Sequence, residues 1–269
     1  MTQRVALIGA GMMGEAVLSG MLRAGRSADQ VLVTDRRPER LAELQQRYGV
    51  TPVSNAEAAA AAHTLVLAVK PQDMSALLEE LSDSVPGDRL VISLAAGIPT
   101  RFLESRLPAG TAVVRVMSNT PVFVDLAMSV LSAGSSAGED HLAQAEALFS
   151  PVGKVLRVPE AQQDAVAALS GSGPAYLYYL VESMIDAGIL LGLPRAVAVE
   201  LIVQTMVGAS TMLRDSGEHP VQLREAVTSP GGTTIAAIRE LEKHGVRAAV
   251  LDAVEAARDR SSELARGAG

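Results

Sequence analysis

The sequence predicts an α/β domain with a mainly parallel sheet over residues 1–159, followed by an all-helical domain over 160–269. Three observations carry this reading. Short continuous apolar runs recur through the first half, separated by amphipathic helical segments, as expected of parallel strands covered on both faces. A glycine-rich turn lies directly between the first apolar run and the first helical segment. From about residue 160 strand signals vanish, and helical patterns continue to the end, broken at "SGSGP", "GLP", "GEHP" and "SPGGTT".

The elements follow in order. Strands are expected at "RVALIG" (4–9), "QVLVT" (30–34), "HTLVLAV" (63–69), "RLVISLAA" (89–96) and "TAVVRVM" (111–117). Between them, "MGEAVLSGMLRAG" and "PERLAELQQRYG" carry helical periodicity. "AMSVLS" and "KVLRVP" read as a hairpin-like pair, with a helix around 139–149. The tract "AEAAAAAH" reads as helix rather than linker, and the domain boundary falls near Pro159.

Composition narrows the class. In 269 residues, 48% are hydrophobic but only 3% aromatic, with no Trp, so the core is built from Ala, Val, Leu, Ile and Met. A net charge of −7 argues against nucleic acid or an anionic membrane as partner. The absence of Cys excludes disulfides and thiolate chemistry. "MTQRVALIGAG" enters a strand pattern at once, without a signal peptide, as expected of a soluble cytoplasmic protein. The apolar segment 174–193 has the length of a membrane span. Yet Glu182 and Asp186 lie within it on one face, where hydrocarbon would penalise each by roughly a few kcal/mol. With the apolar segment that follows, it reads as a pair of largely buried helices covered by another subunit.

In "VALIGAGMMGEA", Gly9, Gly11 and Gly14 have the G-x-G-x-x-G spacing between a strand and a helix. That context predicts a dinucleotide-binding domain of the Rossmann type, with Gly9, Ala10, Gly11, Met12, Met13 and Gly14 lining the pyrophosphate. The first glycine permits the turn, the second the approach of the ligand, and the third close helix–strand packing. The second strand ends in "VTDRRPER". Asp35 suits a free ribose 2′-hydroxyl and hence NAD, whereas Arg36 and Arg37 suit a 2′-phosphate. Two adjacent guanidiniums outweigh one acid, so NADP is expected and NADH remains admissible. "LAVKPQ" places Ala68, Val69, Lys70 and Pro71 at the carboxyl edge of the sheet, where ligands bind. Ala95 and Ala96 in "SLAAG" leave space for a nicotinamide ring. Asn55 reads first as a helix N-cap, with a cofactor contact as its second role. No pair among His63, His141, His219 and His244 has metal-ligand spacing, so no metal is expected.

The stretch "SPGGTT" (229–234) allows two readings, a tight turn or an anion-binding loop at the start of a helix near Ile235.

Taken together, "IGAGMMGEA", "AVKPQ", "LAAGI", "RVMSNTP", "SGSGPAY" and "SPGGTT" resemble pyrroline-5-carboxylate reductase over essentially the whole chain. The most specific part is "PVQLREAVTSPGGTTIAAIRELE" (220–242). The resemblance implies reduction of 1-pyrroline-5-carboxylate to L-proline with NADPH or NADH. It also implies a homodimer through the helical domain, and assembly of such dimers into a decamer. It assigns substrate binding to Ser229, Gly231, Gly232, Thr233 and Thr234, with the Thr234 hydroxyl near the substrate nitrogen in the catalytic position. One departure stands out: Ser118 occupies the place before Asn119-Thr120-Pro121 where the family usually has proline.

The chemistry agrees with what is absent. A carbonyl reduction needs an acid to protonate the developing alkoxide, whereas an iminium already carries the charge that a hydride neutralises. Positioning can then supply most of the rate. Hydroxyacid dehydrogenases of similar plan also carry "GSGP", but with a catalytic lysine where this chain has Leu177. A catalytically silent NADP-binding regulator is the other alternative.

Overall fold

The computed structural model describes residues 4–267. The start of the chain, 1–3, from which the lack of a signal peptide is read, lies outside the described residues. Among the described residues eight strands form one sheet: β1 (Val5–Ile8), β2 (Val31–Thr34), β3 (Thr51–Pro52), β4 (Thr64–Leu67), β5 (Leu90–Ser93), β6 (Ala112–Met117), β7 (Ala127–Ala133) and β8 (Gly153–Arg157). Their order is β3-β2-β1-β4-β5-β6-β7-β8, so the chain reverses direction across the sheet at β1. All pairings are parallel except β6 with β7. The helices are α1 (Met12–Arg23), α2 (Pro38–Tyr48), α3 (Asn55–Ala61), α4 (Met74–Leu81), α5 (Thr100–Glu104), α6 (Glu139–Phe149), α7 (Gln163–Val166), α8 (Gly173–Leu190), α9 (Arg195–Ser216), α10 (Pro220–Ala226), α11 (Thr233–Lys243) and α12 (Val246–Gly267).

The apolar runs become strands buried on both faces. Val5 and Leu7 of β1 enter one core cluster with Val17 and Leu18 of α1 and Phe149 of α6. Ala6 and Ile8 enter the other, with Leu78 and Leu81 of α4 and Phe102 of α5. A continuous Val/Leu/Ile run is therefore required, since both alternate faces lose water.

One local reading is corrected, and one strand left no signal to read. β7 and β8 are not a hairpin: they pair in parallel, from Ala127↔Gly153 to Leu131↔Arg157, and β7 is antiparallel to β6 instead. The cause is α6, which lies between them and returns the chain to the starting edge of β7, as a parallel crossover must. β3, only two residues long, is too short to leave a periodic signal.

Contacts divide the chain into two compact units. One runs through Ser172 and is joined by the residues from Ala257 onward; the other is Gly173–Ala256. No strand follows Arg157 among the described residues. The helical segment 160–172 nevertheless packs with the sheet. The Glu160 carboxylate accepts from Thr100 N at 2.7 Å and Thr100 Oγ1 at 2.6 Å, and faces the buried Arg115 guanidinium at 3.4 Å. Gln163 Nε2 donates to Val130 O and Ser132 Oγ. The carboxylate of Asp164 receives the hydroxyls of Ser261 and Ser262, both at 2.8 Å, which fixes the end of α12 in this unit.

The second unit is a set of helices with little interior of its own. α8 has no buried residue and α9 has two, Ala198 and Ile202. The expected pair of largely buried helices is thus not buried by this chain. They meet through small residues, since a Cβ on Gly188 would lie 2.9 Å from the Ala198 Cβ. Large apolar side chains stay exposed, including Tyr179 at 70% and Leu190 at 87%. One helix among the described residues, α9, is long and apolar enough to cross a membrane by length and composition, with a mean hydropathy of 1.6.

Candidate functional site

The glycine-rich turn sits where β1 ends, at the point where the strand order reverses. Gly9 has φ +89°, and a Cβ there would lie 2.8 Å from Val69 Cγ1 and 3.0 Å from the Ala68 carbonyl. Only glycine fits that turn. A Cβ on Gly14 would lie 2.6 Å from Gly9 O, which sets how closely α1 packs on the strand. A Cβ on Gly11, by contrast, would meet nothing within 4 Å, so open space lies in front of its backbone.

Hydrogen bonding sorts the donors of the turn. The N–H groups of Gly9 and Ala10 both donate to Thr34 O, at 3.0 and 3.1 Å. The Ala10 carbonyl accepts from Arg40 Nε at 3.0 Å. Both backbone groups of Ala10 are therefore engaged within the protein, and this residue lines the turn without offering a donor. α1 begins at Met12, and its N-cap Gly11 supplies no side-chain hydrogen bond. The N–H groups of Met12, Met13 and Gly14 are thus the first-turn donors of that helix, facing the open ground over Gly11. Open space beside uncapped helix N–H groups fits a pyrophosphate.

Sequence reasoning missed the clasp that steadies this turn. Glu15 of α1 pairs with Arg40 and, at 2.7 Å, with Arg47, and accepts from Tyr48 Oη at 2.9 Å. Burial pushes the Glu15 carboxyl up, but hydrogen bonds from Arg40, Tyr48 and Arg47 outweigh it and hold the group below its ordinary range. Arg40 therefore ties α2 to both α1 and the Ala10 carbonyl. Charge pairing across 25 residues leaves no local pattern, so no sequence signal pointed to it.

At the end of β2 the acid and the two arginines separate into two pairs. Arg37 closes on Asp35, with Arg37 N and Nε both 3.0 Å from Oδ1 and Nη2 3.2 Å from Oδ2. Arg36 reaches away to Asp73, with contacts of 3.2 and 2.9 Å. Past β4, Ala68 and Val69 are half-buried, and Lys70 and Pro71 are exposed. Past β5, Ala95 is buried and Ala96 exposed. Asn55 does not cap its helix. Ser54 does, in a reciprocal box with Glu57 whose reach from Glu57 N to Ser54 Oγ is 3.3 Å. A hydroxyl one residue earlier takes the cap, and Asn55 Nδ2 instead donates to Glu80 Oε2 at 2.9 Å.

The Ser118 hydroxyl lies 2.9 Å from that of buried Ser129 on β7. Asn119 beside it accepts from Met128 N at 3.0 Å and donates to Ser170 O at 3.2 Å. It thereby holds a single π-helical turn, Ala167–Gly171, which ends on the first glycine of "GSGP".

Within the second unit, "SPGGTT" is the entry to α11. Gly231 is left-handed at φ +67°, and Gly232 N donates back to Ser229 O at 3.1 Å. Any Cβ on Gly232 would collide with the Ser229 hydroxyl. The helix starts at Thr233, two residues before the expected Ile235, so Thr233 and Thr234 occupy its first turn. Gly232 is the N-cap and gives no side-chain hydrogen bond, which leaves the first-turn N–H groups uncapped. Thr234 is half-buried, whereas Ser229, Gly231 and Thr233 are exposed. Leu177, in place of the dehydrogenase lysine, is an exposed side chain on α8.

Comparison with known proteins bears on both units. Residues 160–264 match the family model for pyrroline-5-carboxylate reductase dimerisation. Residues 4–97 match one described as NADP oxidoreductase, coenzyme F420-dependent. The chain is 43% identical to a pyrroline-5-carboxylate reductase of Mycobacterium tuberculosis, over 97% of this chain and 96% of that protein. It is 44% identical to one from Corynebacterium melassecola, over 97% and 98%. Among solved structures, the reductase of Coxiella burnetii superposes with a TM-score of 0.92 at 37% identity, covering 98% of this chain and 99% of that one. The Plasmodium falciparum enzyme, solved with NADP bound, superposes at 0.88 with 28% identity, covering 98% of each.

Proposed function

This chain belongs to the pyrroline-5-carboxylate reductase family, and on that premise we infer the residues with which it reduces 1-pyrroline-5-carboxylate to L-proline. The observation that carries the assignment of the substrate site is the uncapped N-terminus of α11 behind two glycines. The substrate's carboxylate requires N–H donors and no crowding side chains. Gly231, Gly232 and the first turn of α11 offer both, together with the positive end of the helix dipole. Ser229 and Thr233 add hydroxyl donors, and Thr234 holds the ring nitrogen.

The dinucleotide site is Gly9–Gly14 with Arg36, Asn55, Ala68, Val69, Lys70, Pro71, Ala95 and Ala96. Of these, Met12, Met13 and Gly14 supply N–H groups and Ala10 only surface. When bound, a reduced nicotinamide dinucleotide supplies the hydride. The chain's own residues bind and orient, because the protonated imine carries the charge that reduction removes and needs no strong acid. NADPH is the preferred reductant in this reading and NADH the secondary one. The preference rests on Arg36, exposed beside the end of β2.

The functional helical domain is taken to begin at 160, where the dimerisation match starts, although 160–172 packs with the sheet. A second copy, rather than a membrane or nucleic acid, is the occupant that fits the exposed apolar faces of α8 and α9. Dimers assembling into a decamer and a cytoplasmic site complete the proposal. A solution mass at micromolar concentration is expected to be at least that of a dimer; a stable monomer would overturn the intersubunit role.

The cofactor assignment is tested by Arg36→Ala. Losing a charge-assisted phosphate contact should cost about 1.5–3 kcal/mol. Steady-state kinetics on pyrroline-5-carboxylate should show the KM for NADPH rising well above wild type and that for NADH hardly moving. Equal effects on both reductants would reduce Arg36 to a surface charge.

A further inference from the structure

The two ion pairs at the sheet's carboxyl edge differ in what they leave available. Asp35 is the residue placed to accept a ribose 2′-hydroxyl. Its carboxylate is 9% exposed, and both oxygens already accept from Arg37. Burial alone would push the Asp35 carboxyl up, yet the side-chain and backbone hydrogen bonds of Arg37 hold it below its ordinary range. A ribose diol could reach this acid only after the fork opens.

Arg36 presents the opposite case. Its side chain is 82% exposed and is held by both oxygens of Asp73. Arg36 follows β2 and Asp73 lies beyond β4, and β1 runs between those two strands. The pair therefore bridges the end of β1, where the glycine turn begins. A guanidinium–carboxylate pair whose guanidinium stands in solvent contributes little net stability. A phosphate dianion presents the same forked geometry with more charge, and so displaces a carboxylate from the guanidinium. A ribose hydroxyl has no charge with which to do so.

We propose that Arg37 and Asp73 determine dinucleotide choice, Arg37 by closing Asp35 to a ribose 2′-hydroxyl and Asp73 by occupying Arg36 until a 2′-phosphate takes its place. This rests on the NADPH preference proposed above. Arg37 is here a specificity residue acting through Asp35, and Asp73 is a competitor that the phosphate replaces.

The test is direct binding of NADPH and NADH to the full-length protein by titration calorimetry, with no turnover required. Thermal melts of each variant confirm folding. Arg37→Gln should tighten NADH about three- to tenfold, and Asp35→Asn in the same background should remove that gain. Asp73→Asn should tighten NADPH several-fold and leave NADH unchanged. If Arg37→Gln leaves NADH unchanged or weaker, Asp35 is not gated by Arg37. If Asp73→Asn weakens NADPH, Asp73 supports Arg36 and does not compete for it. Either result overturns the proposal. Wild-type protein binding NADH as tightly as NADPH would instead overturn the preference on which it rests.

Discussion

Gly14→Val is expected to abolish measurable binding of both NADPH and NADH. A Cβ at this position would lie 2.6 Å from Gly9 O and 3.4 Å from Ala68 Cβ and Leu7 Cδ2. Backbone oxygen cannot yield as a side-chain tip can, so α1 must move off the strand. Its first-turn N–H groups move with it. That displacement takes the donors out of line with a bound pyrophosphate, and the valine branches enlarge it. The melting temperature should fall as well, because α1 also carries Val17 and Leu18 of the core, which would move with it. Gly11→Ala is the informative partner. With nothing within 4 Å of its added methyl, it should leave the melting temperature unchanged yet weaken both dinucleotides, since the methyl enters the space over the turn. Calorimetric titration of the two variants distinguishes them. Full affinity in Gly11→Ala would show that no pyrophosphate lies against this turn.

The second large effect belongs to Thr234. If its hydroxyl hydrogen-bonds the ring nitrogen, Thr234→Ala should lower kcat by about tenfold to a few hundredfold, the worth of one or two positioned hydrogen bonds. Cofactor affinity should hardly change. Activity should not vanish, because on the proposed assignment the iminium needs no strong acid and the N–H groups at the start of α11 would still hold the carboxylate. Thr234→Ser retains the hydroxyl and should keep most of the rate. Gly232→Val should be worse than either, since even a methyl there collides with the Ser229 hydroxyl and distorts the entry to α11. Steady-state kinetics with saturating reductant reads all three. Alanine and serine behaving alike at 234 would leave the loop as a carboxylate clamp only.

Much of this architecture was legible without coordinates. The runs at 4–9, 30–34, 63–69, 89–96 and 111–117 each became a strand, because a doubly covered parallel sheet demands continuous apolar sequence. Gly9 and Gly14 are fixed by collisions that any added Cβ would cause, and their spacing reports that requirement. Misreadings came where a neighbour in space outranked a neighbour in sequence. "AMSVLS" and "KVLRVP" look like hairpin partners until α6 carries the chain across between them. Asn55 looks like a cap until the Ser54 hydroxyl takes that place.

Local sequence accounts for the strand–turn–helix cradle, the change to an all-helical second half and the two glycines before α11. Each depends on local periodicity or on a backbone conformation that one residue type permits. Which arginine does what depends on contacts between distant segments. Arg36 and Arg37 follow Asp35 as two like residues, yet Arg37 closes on Asp35 while Arg36 reaches Asp73, 37 residues onward. The tertiary structure likewise decided that Arg40 binds the Ala10 carbonyl and Glu15, and that Ser118 finds Ser129. Charges and hydroxyls carry no periodicity of their own; their partners are fixed by which strand ends the fold brings side by side.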